Sequence, residues 1–162
     1  MATTQSILPD FDQEVATTRR VIERVPGDRG EWKPHPKSFA LGHLAQLVSG
    51  MPGWFPRMLQ APSLDLAQGP GYTFESTQKL LSRFDEDVRA AREALAATRP
   101  ESLAEPWSLM MGDRVLFTSP RGEVMRSTLN HLVHHRGQLT VYLRLLDVPV
   151  PSIYGPTADE PW

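Results

Sequence analysis

The sequence predicts an all-α fold, a four-helix bundle with an irregular hairpin before its last helix. Three observations predict it. Proline-free windows long enough for helices span residues 10–25, 71–99 and 121–148, with a shorter one at 37–51. Proline removes a backbone donor and clashes with the preceding turn, so helices run between prolines. Inside those windows apolar residues recur at three- and four-residue steps, and strand-like alternation is confined to one stretch between residues 101 and 118.

The elements follow in order. Ile7, Phe11, Val15, Thr18, Ile22 and Val25 form the stripe of a first amphipathic helix that ends at Pro26-Gly27. Ser38 is the expected N-cap of a second, in which Leu41, Leu44, Leu47, Val48 and Met51 share a face. Pro52 and Pro56 then force a kink or restart near Gly50, with a continuation through Phe55, Met58 and Leu59. Residues 60–72, rich in Pro, Gly and Ser, read as a surface crossing long enough to permit a non-sequential helix order. Thr73 is placed to cap a third helix carrying Thr77, Leu81, Phe84, Val88, Ala91 and Leu95 inward, with Glu86, Asp87, Arg89, Arg92 and Glu93 on its solvated face. Trp107 and Leu109, then Val115 and Phe117, flank Gly112-Asp113 as an irregular hairpin. Ser119-Pro120 reads as N-cap and first residue of a fourth helix reaching about residue 146, and the Pro-rich tail runs extended over the bundle. The chain shows no internal repeat.

Composition excludes whole classes of function. At 162 residues the chain fits one domain, residues 1–162. With 17 Lys+Arg against 19 Asp+Glu the net charge is -2, and no basic run exists to neutralise phosphates, so nucleic acid is not an expected partner. Zero cysteines exclude disulfides, thiolate metal sites and a Cys nucleophile; any metal must be held by His or carboxylate. No stretch approaches the roughly 18 apolar residues a membrane helix needs. Asp10, Asp12, Glu14, Arg19 and Arg20 interrupt any apolar signal-peptide region, and a cytoplasmic location is the expectation.

Three of five histidines fall within five residues: His131, His134 and His135. On a helix His131 and His135 lie about 40° apart, one turn above the other, and His134 about 60° to the other side. The face that holds the pair also carries Val124, Thr128, Leu139, Tyr142 and Leu146, and is therefore expected to point inward. An i, i+4 pair of neutral imidazoles suits one Zn, Ni, Fe or Cu ion, and a third ligand must then come from elsewhere. His43 lies in the second helix at the edge of the stripe centred near Leu44 and Met51, whereas His35, between Pro34 and Pro36, suits a surface loop. Two hydrogen-bonded structural histidines are the competing reading of the same pair. No H-E-x-x-H or E-x-x-H pattern occurs, which removes the zinc-protease and carboxylate-bridged di-iron readings. Gln138 and Tyr142 lie near the His131 face and are candidates to bind a water or substrate; Arg136, on a different face, is expected at a surface or subunit contact. Gly137 costs about 1 kcal/mol in mid-helix, which either a close approach or simple tolerance explains. Trp32, Trp54 and Trp107 are expected as core or interface anchors.

The run Asn130-His131-Leu132-Val133-His134-His135-Arg136-Gly137-Gln138-Leu139, followed by Val148-Pro149-Val150-Pro151-Ser152-Ile153-Tyr154-Gly155, resembles the C-terminal part of the DinB/YfiT-like superfamily. Trp32-Lys33-Pro34-His35-Pro36-Lys37-Ser38 and the stretch from Leu41-Gly42-His43-Leu44 to Met51-Pro52-Gly53-Trp54 are similar to its N-terminal half, so the likeness covers nearly the whole chain. The resemblance implies a bundle in up-down-down-up order, often a homodimer, with a divalent ion such as Ni or Zn on three histidines. Two of these map onto His131 and His135. In many members the third falls at the position of Leu47, one turn after His43, so either His43 reaches in from the neighbouring turn or the site is incomplete. Relatives with known activity include transferases and isomerases that use low-molecular-weight thiols, and the family's name refers to regulation by DNA damage, a stress response.

The expectation that follows is a metal-dependent enzyme acting on a small molecule, with His43, His131 and His135 around one ion and an open position for water or a thiolate. The alternative is a non-catalytic helical module that binds a ligand or partner and uses its histidines structurally.

Overall fold

The computed structural model describes residues 4–69 and 71–162, the first three of these by their backbone. Residues 1–3 of the expected single domain lie outside it. Helix α1 (Thr4–Ile22) begins before the first proline-free window: Pro9 sits inside it, near the N-terminal end. A second rod is made of α2 (Leu41–Gly50) and α3 (Trp54–Gln60), broken by a 3-10 turn over Met51–Gly53 where the prolines predict a restart. Helices α4 (Thr77–Ala97) and α5 (Arg121–Leu145) complete the helical set.

Contacts between the rods set their directions. Arg19 meets Asp85 and Asp12 meets Arg92, so α1 and α4 run opposite ways. Asp10 meets Arg126 and Glu14 meets Arg136, so α1 and α5 run the same way. The hydroxyl of Tyr142 reaches Phe39 and Thr128 reaches Met58, which makes the second rod antiparallel to α5. The four rods therefore run up, down, down and up. The six positions of the α1 stripe, Ile7 to Val25, are all buried, and with Leu44, Met51, Phe55, Phe84, Leu95, Met125, Leu132 and Leu139 they form one core.

The molecule is not the all-α bundle that the sequence predicts. Strands β2 (Pro106–Met111) and β3 (Arg114–Pro120) form the expected hairpin, with Gly112 at φ 58 in its turn and a bulge between Leu109 and Met110. A third strand, β1 (Ser63–Asp65), pairs with β2 in parallel and makes a mixed sheet of order β1-β2-β3. Three residues carry no readable alternation, and β1 exists only because β2 offers an edge more than forty positions later in the chain. Asp65 completes the join: its carboxylate accepts from the Gly112 amide at 2.8 Å and the Ala67 amide at 2.9 Å. Trp107, 2% exposed, plugs the sheet into the core.

Local caps also differ. Ser76, rather than Thr73, caps α4 by accepting from the Lys79 amide; α2 starts after Ala40 with no side-chain cap; and Ser119-Pro120 end β3 instead of opening α5. The boundaries thus move by three, two and one residues respectively. The tail after α5 is extended, held by ion pairs from Arg20 to Glu160 and from Arg144 to Asp159 and by the Val150 amide on Asp159 at 2.9 Å. Among the described residues no helix is long and apolar enough to cross a membrane.

The largest correction concerns Arg136. Expected at a surface, it is 1% exposed and lies among Leu132, Leu139 and Leu143. Its guanidinium contacts Glu14 Oε2 at 2.7 Å, the Glu14 carbonyl at 3.1 Å, Thr18 Oγ1 at 3.2 Å and the Tyr154 hydroxyl at 2.8 Å. The Tyr154 hydroxyl in turn donates to Glu14 Oε2 at 2.8 Å. Burial and this carboxylate neighbour raise the Tyr154 pKa above the usual phenol value.

Removing one member of such a pair strands a buried charge. Arg136→Met is expected to lower unfolding stability by about 3–5 kcal/mol, and adding Glu14→Leu to recover a large part of it, read by urea denaturation of the three proteins. Gly137 has open space where a Cβ would stand, so no close approach explains it. Gly137→Ala is therefore expected to gain up to about 1 kcal/mol in the same assay.

Candidate functional site

With Arg136 and its apolar neighbours turned inward, the two histidines fall about one residue's rotation away on α5, roughly 100°. They do not point into the core as the sequence predicts. His131 is exposed and His135 half-buried, on the side of α5 that meets Trp54 and Phe39. Trp54 lies beside His131, with ring centroids 5.9 Å apart, and Phe39 beside His135 at 6.4 Å.

The two imidazoles do converge. His131 Nε2 and His135 Nε2 are 2.8 Å apart, and His135 Nδ1 is 2.6 Å from Gln138 Oε1. An amide oxygen only accepts, so His135 carries its proton on Nδ1 and turns the lone pair of Nε2 toward His131. Gln138 therefore contacts a histidine and sets its tautomer. Tyr142 donates to the Phe39 carbonyl at 3.2 Å and meets Trp32 edge-on at 5.6 Å. His134 stands edge-on to His135 at 5.0 Å, and His35 accepts from the Lys37 amide in its proline-flanked loop.

His43 is held apart from the pair. Its ring is sandwiched between Phe39, 4.3 Å away, and Tyr72, 3.8 Å away, both nearly parallel to it. Phe39 thus neighbours both His43 and His135. Leu47, one turn on, is buried and lines a cavity of about 780 Å3 bounded by the second rod, the β1 crossing and α4. Trp54 and Tyr72 belong to the same wall, so the cavity adjoins both histidine positions. Among the described residues no group of three His, Asp or Glu side chains is arranged to hold an ion.

One group in this region was not singled out from the sequence. Asp87, placed with the solvated charges, lines the cavity and is half-buried. Burial raises its pKa above the usual carboxylate value, against the opposing pull of Arg57 and Arg83. The signal existed: Asp87 follows Leu80 by seven residues and Phe84 by three, which puts it on the buried edge of α4.

Desolvation lowers the pKa of His43, helped by Lys33; His131 is exposed as a residue, yet desolvation of its ring lowers its pKa too, helped by the charges of His135 and His134. A histidine whose folded pKa is depressed stays neutral to lower pH than in the unfolded chain. Its contribution is fully present above about pH 6.5 and is lost as pH falls through the folded value. Stability is thus expected to drop between pH 7.5 and pH 5, less steeply in His131→Gln, measured by urea unfolding at both pH values. Carbon-bound ring protons of His131 should titrate below the model-peptide value in an NMR pH series.

The comparisons with known proteins bear on the whole chain. It matches a crystal structure of a DinB-like protein from Bacillus cereus ATCC 10987 at a TM-score of 0.72, with 20% identity over 94% of this chain and 98% of that one. A DinB-like protein of Bacillus subtilis, YjoA, matches at a TM-score of 0.71 and 18% identity, over 91% and 96% of the two chains. At such identities the likeness is one of fold. The uncharacterized protein YrdA of Bacillus subtilis strain 168 is 44% identical over 41 residues, and the match spans a quarter of that relative's length. The DinB family model covers residues 1–161, and on that coverage the chain belongs to the DinB family.

Proposed function

We propose that this chain is a divalent-metal-dependent enzyme acting on a small molecule, with Ni or Zn held by His131 and His135 and a low-molecular-weight thiol as one substrate class. The observation that carries the reading is the convergence of two Nε2 atoms at 2.8 Å with Gln138 fixing one tautomer. Two imidazoles on a tetrahedral ion stand about 3.3 Å apart, so a small opening of the pair would admit one. A metal-ligating histidine usually gives its other N–H to an acceptor, the role Gln138 fits. A bound ion there would act as a Lewis acid that lowers the pKa of a coordinated water or thiol.

His131 and His135 would be two of its ligands, and among the described residues no third His, Asp or Glu is gathered with them. His43 would join only by leaving its stack between Phe39 and Tyr72. What the chain itself provides is orientation: Gln138 aligns His135, Tyr142 ties the Phe39 segment down, and Trp54 shields one side of His131. The stacked His43 favours the second reading, a non-catalytic ligand-binding module in which the histidines are structural.

Thermal unfolding of tag-free, chelator-stripped protein separates the two. On the metal reading, added Zn or Ni raises Tm in a concentration-dependent way, His131→Ala/His135→Ala abolishes the rise, and Gln138→Leu weakens metal affinity by roughly 10–100-fold. A wild-type Tm that stays flat with both metals overturns it and leaves the binding module.

A further inference from the structure

A sheet ends in two edges, and an edge strand presents a row of backbone donors and acceptors that can pair with another chain. The order β1-β2-β3 leaves β1 and β3 in that position. Strand β1 is three residues long and offers little to pair with. Strand β3 is seven residues long, and its residues 114–118 are all exposed. Proteins guard a long edge with charge, proline or a covering segment. On β3 the one charge is Arg114 at its start and the one proline is Pro120 at its end.

The strand between those ends is apolar at the surface. Val115 is 53% exposed, Leu116 41% and Phe117 44%. The register passes from Leu109 paired with Phe117 to Met110 paired with Val115, so Leu116 is the extra residue of the bulge. A bulge twists an edge without covering it.

The charges decide which occupant suits this edge. Laid antiparallel on a second copy of itself, the strand overlaps over its whole length when a two-fold axis passes Phe117. Val115 then stands opposite Ser119 of the partner subunit, Leu116 opposite Thr118 of the partner subunit, and Arg114 opposite Pro120 of the partner subunit. Glu123 follows Pro120 by three residues in the first turn of α5, about 4.5 Å along the helix axis. Arg114 and Glu123 are both exposed, and among the described residues neither lies in an ion pair. Antiparallel self-pairing brings these two opposite charges into reach of each other, once at each end of the joint. A parallel copy would set Arg114 against its own counterpart.

We propose that β3 is an interface between two copies of this chain, joined antiparallel about a two-fold axis at Phe117 into one continuous sheet, with Arg114 against Glu123 of the partner subunit at both ends. The interface uses neither the histidine pair nor the larger cavity, so it stands whatever those bind.

The test is sedimentation velocity of the full, tag-free, chelator-stripped chain across the micromolar range. The expected result is a reversible dimer of twice the chain mass. Leu116→Lys, at an exposed position, should raise the dimer dissociation constant at least tenfold and leave the far-UV circular dichroism unchanged. Arg114→Glu and Glu123→Arg should each weaken the dimer at least tenfold by setting like charges face to face. The double variant should recover most of that loss, because the two positions meet across the axis. Amides of residues 115–119 should exchange more slowly with deuterium as concentration rises. A wild type that stays monomeric throughout leaves the edge to some other partner and overturns the proposal. So does a dimer indifferent to Leu116→Lys, a double variant no tighter than the single ones, or β3 amides that exchange as fast in the dimer as in the monomer.

Discussion

A guanidinium in the hydrophobic core has few places it can be, and Arg136 has one. Its partners come from α1 in the form of Glu14 and Thr18 and from the tail in the form of Tyr154, so a single side chain joins the first helix, the last helix and the C-terminal segment. The position of Glu14 along α1 favours this rotation of α5 about its own axis, because another rotation would leave the Glu14 carboxylate buried without its partner. That rotation then decides which residues of α5 are left outside the core. His131 is exposed and His135 half-buried because Arg136 occupies the interior.

Aromatic rings stand beside most of these polar groups. Phe39 lies against His43 and near His135, Trp54 near His131, and Tyr72 stacks on His43. Rings of this size bury much apolar area while their edges and faces still tolerate polar neighbours. The outcome is a histidine pair on α5 beside a cavity whose wall carries the half-buried Asp87 along with Arg57 and Arg83. The two features share Trp54 in their surroundings but draw their polar groups from different helices, which allows one to be altered without the other.

The helices were legible in the sequence because burial on one face of a helix writes a three- and four-residue period into the chain. The stripes of α1 and α2 are buried residue for residue. On α5 the same arithmetic failed by one position: with histidines counted as inward and arginine as outward, the stripe was centred on His131, His135 and Tyr142 instead of Leu132, Arg136 and Leu143. Asp87 was misread for the same reason, since residue type outweighed its spacing from Leu80 and Phe84. The family resemblance, carried by the run from Asn130 to Leu139, was sound across the chain.

By itself the sequence determined where helices could run, where prolines would break the second of them, that a hairpin would turn at Gly112-Asp113, and that two histidines would stand one turn apart. Those are local matters, governed by backbone sterics and the helical repeat. Only the tertiary structure decided which way α5 faces, that residues 63–65 become a strand, that His43 is stacked between two rings, and that Asp87 lines a cavity instead of facing open solvent. Each of these depends on groups far apart in the chain meeting at one point, and a burial preference read from residue type alone does not specify such a meeting.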